Sequence, residues 1–234
     1  MSSGSGLELH DELKARHGFD RGIVRSYRVT YGESGPSRPR TTDLVEELLV
    51  DLGEETTTSV GTGRSWVIDV ERRGPDGELL MVERWSMFGY RSDSPRSLRP
   101  QTAQRNDSHD GAVIDEFLVT TEFIRSSATA RGVQVAVHHD TDAARAAGAR
   151  DIFLDTATQV SMFTDRAAGL IGGHQQVHSV ELRMGAPICA GDEVVLLLDG
   201  VDDSDGTETD RGELRLRAAV GGITVSRAVV AFGP

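Results

Sequence analysis

The sequence predicts an α+β fold in two units, the second an antiparallel sheet wrapped around one long central helix. Three observations predict it. A polar, aperiodic stretch at residues 92–112, rich in Ser, Pro, Arg, Asn and Asp, separates two structured halves. The run Asp151 to Leu170 carries apolar residues at helical spacing, and four strand-like runs follow it. The expected organisation is therefore a first unit over 1–91, a linker over 92–112 and a second unit over 113–234.

In the first half, His10 to Arg16 is a short helix. Ile23 to Tyr31 (IVRSYRVTY) alternates and is rich in β-branched and aromatic residues, as a half-buried strand should be. Leu44 to Leu52 fits a helical face or a strand equally. The β-formers that continue it through Thr56 to Val60 favour strand. Ser65 to Val70 and Leu79 to Tyr90 flank Gly74-Pro75-Asp76-Gly77, a turn signal that makes them a hairpin.

In the second half, Phe117 to Thr129 reads as a strand running into a short helix. A loop containing His138 and His139 follows. Asp142 to Ala147 is a short helix closed by Gly148, which suits a C-terminal cap. The long helix Asp151 to Leu170 buries Ile152, Phe153, Ala157, Val160, Phe163 and Ala167, with Asp151 as its N-cap. Gln176 to Met184, Glu193 to Gly200, Glu213 to Val220 and Ile223 to Phe232 are then four strands in an antiparallel meander.

A chain of 234 residues is long enough to bury a sizeable core. Its net charge of -12 argues against nucleic acid as a partner, which needs a basic footprint. No apolar run approaches the roughly 20 residues needed to span a bilayer, so no membrane partner is expected. The N-terminal MSSGSG reads as a tail and not a secretory signal. Cys189 is the single cysteine, so no internal disulfide forms and a cytoplasmic location is expected. No cofactor is implied, because no Gly-rich phosphate loop follows a strand and no metal-ligand set is evident. His174 and His178 form an H-x-x-x-H pair without a third ligand.

From Val119 to Leu198 the chain resembles the MaoC-like family of hydratases and dehydratases. VTTEFIRSSATARG is similar to the helix that opens the family's motif. His138, Asp140, Ala144 and Ala147-Gly148 are similar to its H-x-D-x-x-x-A-x-x-A-G run. RMGAPICAGDEV, Arg183 to Val194, looks like its strand-turn-strand ending in Gly-Asp. GPDGELLMVERWSMFGYR, Gly74 to Arg91, looks like the degenerate first repeat of two-repeat members. The resemblance implies a double hotdog fold and acid-base chemistry on an acyl thioester or a polyketide-derived intermediate in secondary metabolism.

The chain departs from the family at the loop G-D-x-N-P-x-H, which here reads GVQVAVH, Gly132 to His138. The catalytic Asp position is Val133, and the Asn and Pro positions are Val135 and Ala136. The family's His-Gly or Gln-Gly at the start of the central helix is Asp155-Thr156. That makes LDTATQ, Leu154 to Gln159, similar to the D-x-x-x-Q signature of polyketide and fatty-acid dehydratases.

Dehydration of a β-hydroxyacyl thioester needs a base for the α-proton, an acid for the leaving hydroxyl and a donor to the carbonyl oxygen. His138 is the candidate base. Asp155 is the candidate acid, its proton held by desolvation. The amides of Thr156 and Ala157 at the helix start are candidate carbonyl donors. Val133, Val135, Phe153, Met162 and Phe163 are candidate walls of the substrate pocket. No metal residue is assigned.

Structural readings stand beside these. Asp140 caps the helix near Asp142, Cys189 is a packed small side chain, and Trp66 and Trp85 are sheet-packing residues. The acidic run Asp199 to Asp210 lacks the spacing of a calcium loop and reads as a solvated hairpin. Arg38, Arg40, Arg96 and Arg99 are candidates for the phosphates of CoA or of a carrier-linked pantetheine. Besides hydration and dehydration, the expected reactions include a repurposed cyclisation or isomerisation. A non-catalytic acyl-binding subunit and an acyl thioesterase are the alternatives. A small-molecule substrate and a homodimer are the partners expected.

Overall fold

The computed structural model describes residues 7–36, 40, 42–58, 60–91, 111–203 and 211–234. The chain divides into two compact units, Met1–Ser97 and Leu98–Pro234. The 92–112 linker therefore lies, over 92–110, outside the described residues, as do Arg38, Arg96, Arg99 and the 204–210 part of the acidic run. No helix among the described residues is long and apolar enough to cross a membrane.

In the first unit α1 (Glu8–His17) precedes four antiparallel strands, β1 (Arg21–Tyr31), β2 (Leu44–Thr58), β3 (Gly61–Arg73) and β4 (Leu79–Arg91), in the order β2-β3-β4-β1. The ambiguous Leu44 run is a strand. The β3–β4 hairpin turns at the expected residues: Gly77 has φ 82°, which a side chain would strain, and its amide donates to the Gly74 carbonyl at 2.9 Å. The Glu47 carboxylate on β2 accepts the amides of Glu8 and Leu9 at 3.1 and 2.7 Å, occupying donors that the first helical turn leaves open. Leu13, Trp66, Ile68, Val70 and Phe88 are all fully buried here. The Trp66 ring lies so close to Gly89 that a Cβ there would sit 2.1 Å from it. Trp85 meets Tyr27 edge-on at 4.5 Å between ring centroids, the sheet-packing role expected of it.

In the second unit β5 (Ala112–Leu118) leads into α2 (Thr121–Ala130), a single 3-10 turn (Ala136–His138), α3 (Thr141–Ala146) and α4 (Thr156–Leu170). The strands β6 (Gln176–Met184), β7 (Glu193–Asp203), β8 (Gly212–Val220) and β9 (Ile223–Gly233) follow. All pair antiparallel in the order β6-β9-β8-β7-β5, and α4 packs against β6 and β9. Val180 and Leu182 on β6 and Ala228 and Val230 on β9 alternate inward toward α4, whose Val160, Phe163 and Ala167 are buried; Leu214 and Leu216 on β8 are buried as well.

Two expectations are corrected. The four strands are not a simple meander, because β6 pairs with β9 and not with β7. The β6–β7 connection is instead used to hold the start of α4: the Leu154 amide donates to the Ile188 carbonyl at 2.9 Å and the Ala190 amide to that of Ile152 at 3.0 Å. That same pairing keeps 152–154 extended, so the central helix begins at Thr156 and not at Asp151. Its N-cap is accordingly Asp155. Asp151 binds outside the helix, accepting the Thr141 hydroxyl at 2.8 Å and the Ile152 amide at 2.7 Å.

Candidate active site

The loop that carries His138 is fixed at both ends by its own chemistry. Helix α2 ends with Gly132 at φ 70°, and the Val133 amide returns to the Ala128 carbonyl at 2.9 Å, a left-handed helix stop. Beyond the loop, Asp140 caps α3 by accepting the Ala143 amide at 2.8 Å, as the sequence predicts. Between these anchors His139 Nε2 donates to the Val133 carbonyl at 2.7 Å, while its own carbonyl accepts Arg125 Nε at 3.0 Å. His139 is thus a brace within the loop.

His138 points elsewhere. It is 8% exposed, and its Nδ1 lies 2.8 Å from the Phe153 carbonyl oxygen. A carbonyl only accepts, so Nδ1 carries the proton and Nε2 is left with a lone pair. The ring also meets the Phe153 ring edge-on at 4.9 Å. Burial lowers the pKa of the imidazole, while the bond to Phe153 and the nearby charge of Asp155 oppose that shift and His139 adds to it. His138 is therefore within electrostatic reach of Asp155, with its imidazole neutral near pH 7.

Asp155 is 4% exposed, and both its oxygens are occupied. Oδ1 accepts the Thr158 amide at 2.8 Å and Oδ2 accepts the Thr158 hydroxyl at 2.6 Å. With both oxygens engaged by Thr158 the carboxyl serves as the cap of α4, and neither oxygen is left free for the acid role expected of it. Thr156 and Ala157 are half-buried in the first turn of α4, where their amides have no intrahelical acceptor.

The candidate walls divide. Phe153 and Val133 are half-buried, and Met162 is 8% exposed. Phe163 is sealed in the core at 0% and faces no substrate. Val135 stands 54% exposed just before the 3-10 turn, its carbonyl taken by the His138 amide at 3.1 Å, so it is a solvent-facing residue and not a wall. Among the described residues no group of three His, Cys, Asp or Glu side chains is placed to hold a metal ion. Cys189 is buried, its amide bound to Asp192 at 2.7 Å and its thiol pKa raised chiefly by desolvation. Arg40 belongs to the first unit, where its amide donates to Asp43 at 2.7 Å.

Sequence reasoning gives no role to three groups beside His138 and Asp155, although Gln159 is named in the D-x-x-x-Q likeness. The Phe153 carbonyl that orients His138 is a main-chain atom and leaves no side-chain signal. Thr158 was legible as the third residue after a capping Asp. Gln159 is 2% exposed, with its Nε2 donating to Met184 Sδ at 3.5 Å and its Oε1 buried without a partner among the described residues.

No family model and no curated protein sequence matches the chain. Solved structures do. A MaoC-like dehydratase superposes with a TM-score of 0.67 at 14% identity, over 97% of this chain and 81% of that one. The full-length peroxisomal multifunctional enzyme type 2 of Drosophila melanogaster gives 0.65 at 16% identity, over 96% of this chain and 39% of that one. A conserved protein of Mycobacterium tuberculosis described as a double hotdog gives 0.57 at 13% identity, over 97% and 79%. At these identities the likeness is one of fold: two hotdog repeats in one chain, as in MaoC-like dehydratases.

Proposed function

We propose that this chain, a double hotdog of the MaoC-like dehydratase fold, is an enzyme that moves a proton beside the carbonyl of an acyl thioester, with His138 as its base. The observation that carries the reading is the 2.8 Å bond from His138 Nδ1 to the Phe153 carbonyl, which leaves Nε2 unprotonated in a buried setting beside a carboxylate. The thioester carbonyl would accept the amides of Thr156 and Ala157, where the helix dipole favours negative charge.

With Asp155 occupied as an acceptor, one base serves both halves of the reaction. Nε2 takes the α-proton and the imidazolium is balanced by Asp155. The imidazolium then returns that proton to the β-hydroxyl, the carbon–oxygen bond breaks and water leaves with an enoyl thioester formed. Hydration is the reverse. The same base returning its proton to a more distant carbon performs isomerisation, which releases no water and so needs no separate acid. Val133 at the position of the family's catalytic Asp favours these one-base variants, cyclisation of a polyketide-derived substrate among them.

The test is turnover of a 2-enoyl, a 3-enoyl and a 3-hydroxyacyl thioester, each as the CoA ester and on a pantetheine carrier, with thiol release followed in parallel. Loss of about 10²-fold or more in His138→Ala supports the proposal. Thiol release alone makes the chain a thioesterase. Tight acyl-thioester binding without turnover makes it an acyl-binding subunit, the reading that the apolar, half-buried Val133 favours.

A further inference from the structure

The first unit ends in a strand that is open along one side. β2 (Leu44–Thr58) pairs only with β3 among the described residues, so a full row of its backbone donors and acceptors faces outward. Over Leu44 to Leu49 it pairs with Arg73 to Ile68 without a register shift, and the first bulge comes only after Leu49. Leu44, Val45, Leu48 and Leu49 in that regular run are 59%, 46%, 40% and 41% exposed, and Leu79 at the start of β4 is 40% exposed. Edges are protected by shortness, bulges or charged side chains; the Leu44–Leu49 run has no bulge, and of its two charged residues Glu47 is taken by α1, which leaves Glu46 alone among the exposed apolar side chains. A surface concavity lined by Leu44, Val45, Glu46, Glu71 and Arg73 lies at its start.

Charge decides what fits. β2 carries Glu46, Glu47, Asp51, Glu54 and Glu55 and no basic residue. Glu47 is committed to α1 and Glu55 to Arg91 at 3.2 Å. Glu46, Asp51 and Glu54 are exposed and make no ion pair among the described residues. A second copy would set this acidic strand beside itself. The terminal strand of the second unit, β5, offers no better match, since it carries Asp115 and Glu116 and no basic residue. Like charges opposed across a strand pair destabilise it.

We propose that the Leu44–Leu49 edge is a docking site for an extended segment of another protein in which apolar side chains alternate with Arg or Lys. The segment adds as a strand: its main chain pairs with the outward edge of β2, its apolar residues cover Val45 and Leu49 on one face, and its basic residues fall on the other face, beside Glu46. The site is independent of His138 and α4.

The test uses the full chain and a synthetic peptide of about seven residues alternating valine with arginine, a glutamate-for-arginine peptide being the control. Binding is read by fluorescence anisotropy and by hydrogen exchange of the 44–49 amides. Strand addition predicts saturable binding of the basic peptide alone and new exchange protection confined to 44–49. It also predicts a loss of about tenfold in affinity in Glu46→Arg, with a gain for the acidic peptide. Equal binding of both peptides, binding without protection at 44–49, or binding unchanged in Glu46→Arg overturns the proposal. Sedimentation of the free chain as a dimer that Glu46→Arg or Leu48→Arg dissociates overturns it in favour of a second copy. Absence of peptide binding with a monomeric chain overturns it outright.

Discussion

His138 feels the charge of Asp155 at the start of α4, yet the two share no hydrogen bond: the imidazole spends its one N–H on the Phe153 main chain, and the carboxylate spends both oxygens on Thr158. The pair therefore meets through charge and not through a shared proton. A base that is neutral at rest and a fixed anion that balances it once charged is the arrangement a one-base proton transfer requires.

Activity should fall on acidification with a midpoint below the ordinary histidine value of 6.5, because burial lowers the His138 pKa and only the neutral ring can accept a proton. A profile of kcat/KM against pH on the turnover substrate reads this directly. A midpoint above 6.5 would remove His138 as the base.

Asp155→Asn separates the two jobs of that side chain. Asparagine still caps a helix, so stability should change by less than about 1 kcal/mol, whereas Asp155→Ala should cost about 1–2 kcal/mol. With the negative charge gone from Asp155→Asn, the support it lends to protonated His138 is lost, and the acid limb of the pH profile should move to lower pH. Urea melts and pH profiles of the two variants distinguish cap from counter-charge.

Helix α1 should carry its own pH dependence. His10 is buried against Trp66, and burial, assisted by Lys14, lowers its pKa to about 4. The unfolded chain takes up a proton near 6.5 while the folded chain resists until about 4, so this contribution is complete above 6.5 and is lost as pH falls between those values. His10→Phe should flatten that part of the stability profile, measured by thermal melts between pH 7 and 4.

Gly89→Ala should destabilise the first unit by about 1–3 kcal/mol, since the added methyl meets the buried Trp66 ring and one of the two must shift. Gly173→Ala, where a Cβ meets nothing within 4 Å, is the control. Chemical denaturation with tryptophan fluorescence measures both.

Strands and turns were legible because alternation and Gly-Pro-Asp-Gly are local signals; the exception is β5, expected from Phe117 but formed by Ala112–Leu118. The start of α4 was not. The apolar residues Ile152 and Phe153 extend the helical period of the sequence, yet their main chain is claimed by 188–190, some 36 residues away, and a distant claim leaves no mark on periodicity. The same displacement gave Asp155 the cap that Asp151 was expected to be. His138 was legible as the candidate base from its spacing to Asp140 and Ala144, whereas its burial and the acceptor that orients it were not.

That acceptor has a consequence for genetics. Because the Phe153 oxygen belongs to the peptide group, no exchange of side chain at 153 deletes it, and a saturation screen there would record mainly the fate of an aromatic contact. The sensitive neighbour is 154, whose N–H ties this segment to Ile188. Proline at 154 would abolish that tie and swing the oxygen away from the imidazole, making an apolar position with no chemistry of its own behave like part of the reaction centre.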